Sequence, residues 1–326
     1  MVAAETAPAS ASAENLLENP NSPLVIVGQI LCIVVPLAVW FAPLPLEPVT
    51  KHGFAIVGFM VVAWITRAMD YALAGFVGCF LFWALGVVKF PVAFSGFAND
   101  TAWFLFGALL LGVIATRSGV ARRLAYFIML HVGVTYPRIL LGLILTDFLL
   151  TFIVPSGIAR VVIMASIALG LAEAFKSGVG SNVSRGMFLI LSYTANIFDK
   201  MIIAGAGSIT ARGLIEKVGG VEVLWSYWFI AFLPCSIITV LAAWWLTLWL
   251  YPPEKVALEG GYDYLRAEIT KMGPWTALQK KAALLIAIAI LLWLTDFLHH
   301  ISPAVIGMGV GLFALLPRVG ILISKT

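Results

Sequence analysis

Charge is the scarcest commodity in this sequence. Of 326 residues only 20 are Lys or Arg and 16 are Asp or Glu, 11 % in all, where a soluble domain carries about 25 %. A water-soluble fold of this length would have too little charge to cover its surface, which excludes soluble enzymes and nucleic-acid readers. The pI near 9.0 does not restore a nucleic-acid partner. The cations are scattered between apolar runs, with no Lys/Arg block and no aromatic reading surface. Cysteine is scarce too: Cys32, Cys79 and Cys235 each sit inside an apolar run, without metal or disulfide spacing, and read as buried small hydrophobes. The four histidines, His52, His131, His299 and His300, have no carboxylate or thiol at metal-ligand spacing. No nucleophile–base–acid set, phosphate loop or aspartyl-protease context occurs, so no enzyme is expected. The first 22 residues contain three glutamates and no Lys or Arg. They read as a disordered polar tail, without the cationic start of a secretory signal.

What the chain has instead is apolar length: 62 % hydrophobic residues and a mean hydropathy of +1.03. Several runs approach the ~20 residues that cross a ~30 Å hydrocarbon layer. The fold class is therefore an all-α polytopic membrane protein. Spans are expected over Leu24–Ala42, Gly53–Thr66, Tyr71–Val88, Ala102–Thr116 (opened by Asn99-Asp100-Thr101 as cap candidates), Met187–Ile203, Val223–Leu250, Ala282–Leu298 and Pro303–Ser324. Val120–Leu130 and Leu258–Lys271 mix charge with apolar residues and suit helices lying in the interface plane. With the N-terminus in the cytoplasm, thirteen cations fall inside and only Lys51, Lys89, Arg212 and Lys217 outside, a clear positive-inside bias.

Ile139–Phe175 is apolar almost throughout but is broken at its middle by Pro155-Ser156-Gly157. Two full crossings would leave about 16 residues per arm, the lower limit for spanning. A re-entrant hairpin would instead bury an irregular tip in protein at mid-membrane, which is tolerated where the tip lines a cavity. Charge does not separate the two, because both return to the cytoplasm. A second break, Gly205-Ala206-Gly207-Ser208, follows a later apolar run. Two interrupted helices that face each other can attract an anion at their N-termini and a cation at freed carbonyls and hydroxyls; the plainer reading is two glycine kinks that let helices pack closely. Candidate binding residues are Pro155, Ser156, Gly157, Ile158, Asn196, Gly205, Gly207 and Ser208. Charges inside apolar runs are costly. Asp147 and Arg160 are expected as an ion pair across the hairpin or as a functional set. Asp199 and Lys200, adjacent on a helix, point about 100° apart and need not pair. Asp296 and Arg318 lie near span ends and are expected to snorkel.

Gly96-Phe97-Ala98-Asn99-Asp100-Thr101-Ala102-Trp103-Phe104-Leu105-Phe106-Gly107, Ser118-Gly119-Val120-Ala121-Arg122-Arg123-Leu124-Ala125, Phe152-Ile153-Val154-Pro155-Ser156-Gly157-Ile158-Ala159-Arg160, Leu171-Ala172-Glu173-Ala174-Phe175 and Tyr251-Pro252-Pro253-Glu254 together resemble, in order and spacing, the divalent anion:sodium symporter family, in its citrate and dicarboxylate translocator branch. The resemblance implies about eight transmembrane helices plus one re-entrant hairpin, the reading it favours for Ile139–Phe175. It implies an elevator-type carrier for di- or tricarboxylates or sulfate. Residues 23–137 and 282–326 would be scaffold-type, 138–250 transport-type and 251–281 a cytoplasmic connector. The implied partners are a small organic or inorganic anion, the lipid bilayer, and a homodimer mate or a second half-transporter chain. The implied location is a bacterial inner membrane.

Three departures stand out. Ser156-Gly157-Ile158 replaces the family's Ser-Asn-Thr, removing side-chain ligands for cation and carboxylate. Ser208-Ile209-Thr210 stands where a Pro-Asn pair is frequent. Asp199-Lys200 falls in a stretch usually uncharged. The expected second hairpin does not occur. No cofactor is expected beyond a doubtful Na+, and Lys200 is a candidate built-in cation in its place. The competing expectation is a truncated, non-transporting membrane subunit acting through partner helices.

Overall fold

The computed structural model describes residues 23–154, 156–178, 180–203, 205–254 and 260–316; the tail over residues 1–22, Pro155 and Arg318 lie outside them. Among the described residues every regular element is helical. The chain divides into two compact units, Met1–Ala98 and Asn99–Thr326.

In the first unit α1 (Pro23–Phe41), α2 (Pro48–Thr66) and α3 (Tyr71–Ala84) pack in sequence order, followed by the short α4 (Phe90–Ala93). Cys32, Phe59, Ala63, Ala68 and Ala74 form its small core. Asp70 caps α3 by accepting from the amides of Ala72 and Leu73, a use of the orphan N-terminal donors that fixes where the helix begins. Of the three cysteines only Cys32 is buried; Cys79 is half-buried and Cys235, in the second unit, is exposed. The expectation of burial is corrected there, because an apolar helix in a membrane presents one face outward.

The second unit begins with α5 (Asp100–Ser118), capped by Asn99, whose side chain accepts from Thr101 N at 2.8 Å. Gly119, at φ 78°, turns the chain into α6 (Val120–Val132), a left-handed position that favours glycine. Arg123 on α6 is buried, and its Nη2 donates to the carbonyls of Met272 (3.0 Å) and Gly273 (2.8 Å) while its guanidinium lies over Trp275. That ties α6 to the end of α12 (Gly261–Lys271), and Tyr126 and Tyr264 meet at 3.2 Å beside it. α7 (Tyr136–Thr151) and α8 (Gly157–Ala174) flank the Pro-Ser-Gly break, and α9 (Asn182–Met201) packs against both. α10 (Ala206–Gly219) follows the second break, and α11 (Trp225–Leu250) returns along α9. Glu254, just beyond α11, accepts from the amides of Asn182 and Val183 at the start of α9. Those amides hold its carboxyl below the ordinary carboxylate value.

α13 (Ala277–Leu294), α14 (Asp296–His299) and α15 (Pro303–Leu315) close the unit. α5 and α15 approach closely because both present glycine: a Cβ on Gly107 would fall 2.5 Å from Gly307 C and Met308 N. At the N-terminal end of α5, Arg212 of α10 is 3 % exposed. It bridges Asp100 (3.7 Å) and Glu216 (2.8 Å) and donates to Val223 O, while Thr101 fills the space over Gly213. Asp296 overturns the snorkelling expectation. It is fully buried, and its carboxylate accepts from Trp225 N (2.6 Å) and Ser226 N (3.4 Å), capping α11 from 71 and 70 residues away. Among the described residues six helical segments are long and apolar enough to cross a membrane, and three shorter apolar helices accompany them.

Candidate functional site

Arg160 is the centre of the site. It sits in the first turn of α8, is fully buried, and uses its donors on four oxygens. Nε donates to Asp147 Oδ1 at 2.8 Å, Nη1 to Val154 O at 3.0 Å, and Nη2 to Ala195 O at 3.1 Å and Asp199 Oδ1 at 3.0 Å. The guanidinium fork suits such a task, since its donors diverge in one plane and stay charged. Asp147 on α7 is 2 % exposed and Asp199 on α9 about one-third exposed. The expected Asp147–Arg160 pair therefore forms, and Asp199 joins it as a third member. Two carboxylates against one guanidinium leave a formal surplus of one negative charge.

Asp199 also connects the two breaks. Gly157 opens α8 and Gly205 precedes α10. A Cβ on Gly157 would meet Asp199 Oδ2 at 3.1 Å, and one on Gly205 would meet it at 3.5 Å. Both helix starts thus converge on one carboxylate, an arrangement their N-terminal dipoles favour. A side chain at Gly157 would press on it, while one at Gly205 would meet it at ordinary contact distance. The expectation of bare dipoles awaiting an ion changes accordingly: the protein places its own carboxylate there.

Around this centre Ser156 caps α8, its Oγ accepting from Ala159 N at 3.3 Å. Ser208 Oγ donates to Gly205 O at 3.0 Å and is buried, as Gly205 is, while Gly207 and Ile158 are exposed. Pro155 lies outside the described residues. Asn196 and Lys200 stand on the other, exposed face of α9. Lys200 Nζ donates to Asn196 O at 2.8 Å and Asn196 Nδ2 to Ser192 O at 2.9 Å. Asp199 and Lys200 thus diverge as adjacent helical residues must, and the cation held between the breaks is Arg160.

The sequence reading gave α5 as a span, Ala102–Thr116, but assigned none of its residues to the site. The second half of α5 and the tip between α7 and α8 line an open cavity of about 320 Å³ whose lining includes Gly112, Thr116, Arg117, Val154, Ser156 and Ala159. The tip is set beside residues 109–117 of α5, well away from the Asp100–Arg212 contact at the helix's start. A cation in the last turn of an apolar helix reads as an interfacial anchor, so only the fold could bring Arg117 to the tip. No group of His, Cys, Asp and Glu suited to a metal ion occurs among the described residues.

Comparison with known proteins covers nearly the whole chain. A model of the transmembrane region of sodium:sulfate symporters matches residues 25–322. A membrane protein of Cupriavidus necator is 29 % identical over 322 residues, covering 92 % of this chain and 62 % of the relative. An L-tartrate/succinate antiporter of Shigella sonnei is 27 % identical (91 % and 64 % covered), and a citrate/succinate antiporter of Escherichia coli 24 % (90 % and 63 %). The chain thus spans somewhat less than two thirds of the length of these relatives.

Proposed function

We propose that this chain, which belongs to the sodium:sulfate symporter family, forms half of the binding site of an elevator-type carrier for small di- or tricarboxylates or sulfate-like anions. It is a multi-pass membrane protein, and we place it in a bacterial inner membrane with its N-terminus in the cytoplasm. The observation that carries the reading is the convergence of the α8 and α10 starts on Asp199, with Arg160 bound to the carbonyls of Val154 and Ala195. Helix termini meeting inside an apolar bundle are how carriers build anion sites. The position of the tip beside the second half of α5, and beside the break between α9 and α10, supports a re-entrant hairpin rather than two crossings. In this reading residues 138–250 move and the flanking helices of the same unit, with their partner chain or homodimer mate, stay.

Exchange is favoured over sodium coupling. The tip lacks the Asn and Thr side chains expected for a cation site, and Arg160 already occupies carbonyls that would otherwise hold one. Proteoliposomes containing the full chain should take up labelled succinate, citrate or sulfate, faster with anion inside and equally in sodium or potassium. No uptake of any of the three, in either salt and with or without internal anion, refutes the carrier reading. Sodium-dependent uptake refutes exchange alone.

One observation favours the second reading, a membrane subunit acting through partner helices. Ser192, Asn196 and Lys200 form an exposed polar stripe on α9, and such stripes in lipid pair with other helices. Absent uptake together with crosslinking from position 196 to another membrane chain would select it.

A further inference from the structure

Arg160 is not free to greet a substrate. All its contacts are internal, and the two aspartates leave its surroundings net negative. A dianion approaching the tip therefore needs a cation from elsewhere, and the cavity against α5 contains one. Arg117 is the one charged side chain in that lining among the described residues. It is exposed, and no ion pair or hydrogen bond holds it among the described residues. Across the same cavity stands Ser156, whose Oγ already accepts from Ala159 N. Its hydroxyl proton remains to be donated. Thr116 Oγ1 donates inward to Gly112 O at 2.8 Å, so it offers a substrate only acceptor capacity. The rest of the lining is apolar or glycine, and the volume, about 320 Å³, lies at the lower end of small-molecule sites, ~300–1,000 Å³.

We infer that Arg117 is a substrate-binding residue that clamps one carboxylate of a small dicarboxylate while Ser156 donates to the other, so that this cavity selects dianions over monocarboxylates. The inference rests on the anion-carrier reading. A guanidinium fits a carboxylate with two parallel N–H···O bonds, which an ammonium does not reproduce.

The test uses the full chain in detergent and in proteoliposomes. Phenylglyoxal labelling of Arg117, followed by mass spectrometry with Arg122 as internal reference, should slow several-fold in succinate and not in butyrate. In uptake, Arg117→Gln should raise the succinate KM about ten- to a hundredfold, the range of a lost charge-assisted hydrogen bond, with kcat changed far less. Arg117→Lys should restore only part of it. Selectivity for succinate over butyrate should fall in both variants. Arg117 labelling that succinate leaves unchanged, or an Arg117→Gln variant with wild-type KM and selectivity, overturns the assignment while leaving carrier activity standing. Protection of Arg117 without any uptake supports the binding residue and removes the carrier.

Discussion

Replacing Arg160 by Met is the sharpest test of how the two breaks are held. The substitution keeps most of the side chain's length and removes every donor. Asp147, 2 % exposed, loses its guanidinium partner and keeps a second oxygen, Oδ2, that has no partner among the described residues. Removing one member of a buried ion pair costs about 3–5 kcal/mol. The carbonyls of Val154 and Ala195 lose their donor as well, so the upper part of that range applies. For chains of 150–250 residues each kcal/mol moves the melting temperature by about 2–4 °C, so Arg160→Met should lower it by roughly 10 °C. Asp199→Asn should be mild, about 1 kcal/mol or less, because that carboxylate is one-third exposed and screened. The double variant Arg160→Met with Asp147→Asn should regain part of the loss, since the fully buried carboxylate is no longer charged and only Asp199, one-third exposed, is left without its partner. Thermal unfolding followed by tryptophan fluorescence in detergent measures all three. An Arg160→Met protein that melts with the wild type, or a double variant no more stable than Arg160→Met, refutes the assignment of the ion pair as the element that joins tip to break.

Further outcomes follow from the same geometry. Gly157→Ala should impair uptake more than Gly205→Ala, because the added methyl meets Asp199 Oδ2 at 3.1 Å in the first case and at an ordinary 3.5 Å in the second; equal activities would contradict the convergence on Asp199. Gly107→Ala should destabilise by several kcal/mol, since the obstructing atoms are backbone and cannot rotate away, while Gly309→Ala, with open space around it, should leave the melting temperature unchanged. Asp296→Ala should cost about 2–3 kcal/mol by stripping charged acceptors from two buried amides; a neutral effect on melting would remove its capping role. The amides of Asn182 and Val183 depress the Glu254 carboxyl below its usual 4.5. Its contribution is therefore present above that value and lost as pH falls through the lowered one. Protease nicking near residue 182 should rise in acid for wild type and be pH-independent in Glu254→Gln.

The membrane segments were legible because burial in lipid demands uninterrupted apolar length, and the observed helices follow those runs to within a few residues except where caps extend them; the end of the expected span Pro303–Ser324 lies outside the described residues. The start of α2 at Pro48 and of α9 at Asn182 lie outside the apolar windows: a proline at the first turn and Ser181 as cap set them, and neither is hydrophobic. The Asp147–Arg160 pair was readable from the cost of stranding either charge. Asp296 was not, since its partners are two amides that only the fold brings within reach. Arg117 escaped for a related reason. Its neighbours along the chain describe a helix end, and its place beside Ser156 depends on how α7 and α8 dock against α5. The direction of Lys200 followed from helical geometry, yet which of the two adjacent charges faced the breaks did not.

The contact of Arg212 with Asp100, and the seat of Thr101 over Gly213, have a mechanical implication. For the break-bearing segment to slide along α5, that guanidinium must leave its acidic neighbour and the threonine must climb out of a notch shaped by a missing side chain. If that segment moves as the carrier proposal has it, weakening this catch, by Asp100→Asn or by filling the notch with Gly213→Ala, would change how readily it departs before any anion arrives. Under the carrier proposal, the tempo of a transport cycle would be set partly at the far end of the helix, remote from the proposed anion site.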